Sequence, residues 1–184
     1  VNARSPLAVT ILAVAAVGLA LPACSPKTLV VNAVGDALAG ESSIWGRDDD
    51  PELVREATPF ALKTIESLIE QSPHHTGLLL AAASGFAEYS YAFVESDADY
   101  VEAADLAAAT ALRARARNLY RRAREYGLRG LEVDNPGFRS ALRSEPAQAV
   151  AAVGSTADVP LLYWTAASWA LEISLAKQDA DLTA

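Results

Sequence analysis

A lone cysteine, two carboxylates in apolar stretches, paired histidines, an aspartate triplet and an arginine-rich run are the residues of this 184-residue chain equipped for chemistry. Cys24 has no second cysteine with which to close an internal disulfide. One Cys with two adjacent His is also a poor zinc set. His74 and His75 follow Pro73 at a helix break, face two directions and lack a carboxylate cluster, so a surface-loop role is expected. Asp48, Asp49 and Asp50 precede Pro51. A calcium loop wants spaced ligands and a glycine, so helix capping is expected there instead. Glu88 and Glu172 lie in stretches where burial would raise a carboxyl pKa. An acid/base pair, satisfied carboxylates and the lining of a polar channel are all open to them. No HExxH, GxSxG or P-loop pattern occurs. The expectation is a protein without catalytic residues, metal or cofactor, and not an enzyme.

The surroundings of Cys24 are more specific. Residues 7–21, LAVTILAVAAVGLAL, carry no charge and follow Arg4. That run is short for a transmembrane helix and fits the apolar region of a secretory signal. It ends Leu21-Pro22-Ala23-Cys24, which resembles the bacterial lipobox. Residues 1–23 are therefore expected to be a lipoprotein signal peptide, with Cys24 as the acylated first residue of the mature chain. Stable anchoring takes two or more acyl chains, at about 0.8 kcal/mol per buried methylene. Ser25 at the next position, rather than Asp, points to the outer membrane.

Two clusters suggest binding. Tyr163, Trp164 and Trp169 fall on one stretch, either as core packing or as the lining of a site for an apolar ligand. Tyr120, Ser168, Glu172 and Glu88 would be its few polar groups. The run from Arg113 to Arg129 holds seven basic residues against one acid, Glu125, in a chain of net charge −8. It reads either as a solvated face or as a docking surface for an acidic partner or lipid phosphates, through Arg113, Arg117, Arg121 and Arg124. The overall acidity speaks against nucleic acid as a partner.

The elements that must position these residues are helical almost throughout. Ala and Leu dominate, and β-branched residues other than Val are few. KTLVVNAVGDALAG predicts a short helix closed by Gly40. Asp50, Pro51 and Glu52 predict a helix start, running to about Gln71 with Leu53, Ala57, Phe60, Ala61, Thr64, Ile65 and Leu68 on one face. GLLLAAASGFAEYSYAFV predicts an apolar helix ending near Val94. A helix from about Tyr100 to Tyr126 is expected to be capped by Gly127. NPGF and SEPAQAVAAV start short segments, and Asp158 and Pro160 open a second apolar helix. The chain begins at Val1, with no Met, and QDADLTA gives no strong stop signal. Both ends are expected to be cut.

Internal similarity points to repeats. Ala82-Ala83-Ser84 recurs as Ala166-Ala167-Ser168, each Ser followed four residues later by Glu88 or Glu172. Ala61-x3-Ile65-x2-Leu68 matches Ala116-x3-Tyr120-x2-Ala123, the small–aromatic–small spacing of the second helix of a tetratricopeptide repeat. The expected fold of residues 24–184 is an all-α, TPR-like solenoid of helical hairpins.

DDDPELVREATPFALKTIESLIEQSP, LLLAAASGFAEYSYAFV, RARNLYRRAREYGLRGLE and VPLLYWTAASWALEIS together resemble the TatT proteins, the T components associated with TRAP transporters. The resemblance covers about residues 24–180. It implies a periplasm-facing lipoprotein of TPR-like hairpins with a pore or cleft, forming a trimer. It also implies binding to the periplasmic substrate-binding P component and to a solute, a hydrophobic one. Family members continue through further helical repeats, so part of the pore or trimer surface is expected to be missing from this chain. A TPR-like scaffold for envelope assembly, without a small ligand, is the alternative.

Overall fold

The computed structural model describes residues 32–34, 36 and 47–176. The expected signal peptide, Cys24 and the expected helix end at Gly40 lie outside the described residues. Among those described, seven α-helices and no strand are found. They are α1 (Pro51–Gln71), α2 (Thr76–Tyr89), α3 (Ser96–Val101), α4 (Leu106–Asp134), α5 (Phe138–Ser144), α6 (Pro146–Ala152) and α7 (Val159–Ser174). A π-helical segment, Ser90–Glu95, joins α2 to α3 without a break, and a 3-10 turn, Thr156–Asp158, leads into α7.

Local chemistry starts α1 as expected. The Asp50 carboxylate accepts from the backbone N–H groups of Glu52 and Leu53, and Pro51 needs no partner at the first helical position. His75 does the equivalent for α2. Its Nδ1 accepts from Leu78 N at 3.2 Å, while Nε2 lies 3.2 Å from the Asn32 carbonyl and 3.3 Å from Asp36. It is thus a capping residue and not a free loop histidine.

Three helix boundaries differ from the expectation. The apolar helix does not stop near Val94 but continues through the π segment to Val101, so Tyr100 belongs to it. The next helix starts after Asp105, whose carboxylate accepts from Ala108 N. That helix, α4, runs through Gly127 to Asp134. Gly127 caps nothing: α7 crosses α4 there, and a Cβ on Gly127 would stand 2.1 Å from Thr165 Oγ1 and 3.3 Å from the Thr165 Cα. Gly130 plays the same part against Leu161, at 2.6 Å.

α4 is the spine. α2 packs on one side of it and α7 on another, α2 and α7 also touch, and α1 closes the far side of α2. The core between them holds Leu62, Ile69, Leu78, Leu79, Phe86, Val94 and Tyr120. Each fully buried leucine contributes roughly 2–3 kcal/mol of burial. Helix α2 with its continuation is the one described helix long and apolar enough to span a membrane. Its packing against α1, α4 and α7 accounts for that apolarity.

Two frames read from the letters are shifted. The core face of α1 is Leu62, Glu66 and Ile69, while Leu53 and Phe60 are exposed, Phe60 at 79%. The helices α2 and α7 also align by burial at a separation of 82 residues and not 84. Leu79, Ala83, Phe86, Ser90 and Val94 then pair with Leu161, Thr165, Ser168, Glu172 and Ala176, all buried. At 84, the exposed Glu88 would be equated with the wholly buried Glu172. In an Ala-rich chain, short identities fix the helix type but not its rotation.

Candidate functional site

The close approach of α7 to α4 at Gly127 and Gly130 delivers Glu172 onto the α4 surface. Arg121 and Arg124, three residues apart and so on one face, receive it. Arg121 Nε donates to Glu172 Oε1 at 3.2 Å, and Arg124 Nη1 lies 3.0 Å from Oε2. Glu172 is fully buried, and Arg124 is 13% exposed. A buried carboxylate is tolerable when its charge is matched, and two guanidiniums match it. Glu172 Oε2 and Arg124 Nε are nevertheless buried without an aligned hydrogen bond. The Arg124 guanidinium also sits 5.1 Å from the centre of the Trp169 ring.

Beside this pair α5 folds back on α4. Arg139 donates to the Glu125 carboxylate at 2.8 Å and to its carbonyl at 3.2 Å. Glu132 fixes the start of α5 by accepting from the backbone N–H of Gly137 and of Arg139. Gly137 takes φ of +86°, a region that suits glycine. The result is a shallow groove of about 200 Å3, lined by Arg124, Glu125, Leu128, Arg139, Leu142, Arg143 and Trp169.

Among the described residues, the candidate ligand residues lie in different surroundings. Trp169 lines the groove. Trp164 packs on the main core, and Tyr163, edge-on to it at 5.1 Å, is mostly exposed. The Ser168 hydroxyl is committed to the Trp164 carbonyl one turn earlier, at 2.6 Å. Tyr120 is wholly buried, and its hydroxyl donates to Glu95. Burial, reinforced by that hydrogen bond, raises its pKa. Glu88 is exposed and has no ion pair among the described residues; its carboxyl pKa is raised by partial desolvation from its surroundings. Glu88 and Glu172 therefore form no acid/base pair.

The arginines of α4 are largely spent inside the molecule. Arg113 binds Asp99 and Glu102 at 2.9 and 2.8 Å. Arg121 and Arg124 hold Glu172, and Arg117 is half-buried and likewise engaged. Arg122 contacts Glu66 at 2.6 Å and lies over the Phe86 ring. A uniformly solvated or free docking face is thus not what this helix presents. Its charges staple α4 to α3, α1 and α7.

A second buried carboxylate went unnoticed in the sequence. Glu66 on α1 accepts from Lys63 and from the Tyr126 hydroxyl, at 2.7 and 2.6 Å, besides its contact with Arg122. Burial alone would raise its pKa, but the hydrogen bonds and nearby cations win and hold it below the ordinary value. The same carboxylate and burial push Tyr126 up to about 12, burial being the larger cause. Its ring stacks on Phe86 at 5.9 Å. A correct burial frame for α1 would have exposed Glu66 as a charge at a core position. Among the described residues no group of three His, Cys, Asp or Glu is placed to hold a metal.

Among the described residues the fold is of the all-α class, and its buried carboxylates Glu66 and Glu172 are paired internally. Comparison with known proteins specifies the class. Residues 47–184 match the family of TRAP transporter T-components, TAtT, and the chain belongs to that family. The chain is also 32% identical over 169 residues to an uncharacterized protein of Treponema pallidum (strain Nichols). The alignment takes in 83% of this chain and 52% of that protein, so the chain spans about half the length of this relative. The family is described by its place among TRAP transporter components.

Proposed function

We propose that this protein is a periplasm-facing lipoprotein, anchored through Cys24, that binds the substrate-binding P component of a TRAP system. The observation that carries this reading is the family match across residues 47–184. The packing is consistent with TPR-like hairpins: α1 on α2, α2 on α4, α4 on α7, with α2 and α7 sharing a burial frame. Such stacks leave extended surfaces suited to protein partners. Homotrimer formation belongs to the same reading.

The test is capture from the native envelope with the full gene product. The P component is expected to co-purify. Recovery of neither a P component nor any retained solute would end the transport reading. The anchor is tested separately. Cys24→Ser is expected to lose acyl label and leave the membrane fraction, and a variant that keeps both would remove it.

A second reading, a scaffold without a small ligand, is favoured by one observation. Among the described residues, Tyr163, Trp164 and Trp169 are divided among surface, core and groove. Native mass spectrometry separates the two: a retained hydrophobic molecule supports the solute-binding form, and its absence beside a bound P component supports the scaffold.

A further inference from the structure

We infer that the groove between α4, α5 and α7 is a site for a small organic oxyanion, a carboxylate or phosphate on an apolar body. Three guanidiniums line it, Arg124, Arg139 and Arg143, against one carboxylate, Glu125. Glu172, behind the wall, is already matched by Arg121 and Arg124. This spot is thus locally cationic in a chain of net charge −8.

Two of the three cations are held in place before any ligand arrives. Arg124 is fixed between Glu172 and the Trp169 ring, and Arg139 between the carboxylate and carbonyl of Glu125. Ordering them adds little cost on binding. Arg143 is exposed at the end of α5, and no partner holds it among the described residues. A guanidinium fork matches carboxylate and phosphate geometry. Leu128, Leu142 and the Trp169 ring supply the apolar wall. At about 200 Å3 the groove falls below the size that encloses a drug-sized ligand, so it fits a small acid or a headgroup and leaves a longer tail outside.

The test does not use the P component, so its failure and the failure of the proposed partner reading are distinguishable. The purified protein is titrated with benzoate, as a free acid, and with short-chain phosphatidylglycerol, as a lipid headgroup. Binding is followed by calorimetry and tryptophan emission. Saturable binding of at least one probe is expected, weakened by salt. Arg143→Ala should weaken it at least about tenfold, the loss of one charge-assisted contact. Arg143→Lys should recover part of the affinity, and Trp169→Phe should abolish the emission change. The tighter probe identifies the source, acid or headgroup. Failure of both probes to saturate, or binding unaltered by Arg143→Ala in a protein with unchanged melting, overturns the site.

Discussion

Gly127→Ala is the substitution that most directly tests how α7 is seated on α4. In an exposed helix interior the change would stabilise by about 1 kcal/mol, because Gly costs about that much relative to Ala. Here the new Cβ would stand 2.1 Å from Thr165 Oγ1 and 3.1 Å from Thr165 Cβ. Thr165 is buried, and its hydroxyl is tied to the Leu161 carbonyl at 2.6 Å, so it has little room to turn away. The Thr165 Cα at 3.3 Å resists by moving the whole of α7. Overpacking of this kind costs about 1–3 kcal/mol. The expected balance is a net loss of about 1–2 kcal/mol, or roughly 2–8 °C in Tm for a chain of this size. Urea unfolding followed by circular dichroism measures it. In a Thr165→Ala background the cost should fall, giving a coupling of about 1 kcal/mol. Gly154→Ala, with nothing within 4 Å, is the control and should change little. A left-handed cap at Gly127 would make the substitution costly whatever stands at 165. A gain in stability, or a cost untouched by Thr165→Ala, would refute the close-approach reasoning.

Two further outcomes follow from the buried carboxylates. Glu172→Gln should destabilise by about 3 kcal/mol, at the low end for breaking a buried pair because Arg121 is 45% exposed, whereas exposed Glu88→Gln should stay within about 0.5 kcal/mol. Equal effects by urea titration would show that Glu172 is not held as described. Glu66 has a depressed folded pKa, so its stabilisation is fully present above its unfolded value near 4.5 and is lost as pH falls through the folded one. Unfolding measured from pH 6 downward should therefore fall less steeply in Glu66→Gln than in the wild type, and parallel curves would contradict the linkage.

The helix type and the start of α1 could be read from the chain directly. Asp50-Pro51-Glu52 states a helix start in three adjacent residues, because the cap bonds only N–H groups two and three residues ahead. Asp158 is instructive in the other direction. It does precede α7, but its carboxylate accepts from Asn135 Nδ2 and makes no cap bond with its own helix. The arginine run misled for a related reason. A guanidinium on a helix looks solvated until the carboxylate that meets it, 51 residues later for Arg121 and Glu172, is brought across. The groove could not be found at all from one element, since Arg124, Arg143 and Trp169 come from three helices.

The sequence by itself determined the helical type of the body and the start of α1 at Asp50 and Pro51, since both are written in short-range spacing. Tertiary structure decided which side of each helix is buried. It turned Phe60 outward and Glu66 inward, made Gly127 a contact instead of an end, and spent the arginines as staples. The reason is geometric. Helical periodicity leaves rotation undetermined when Ala and Leu occupy several faces, and only the volume and charge of the neighbouring helix select one.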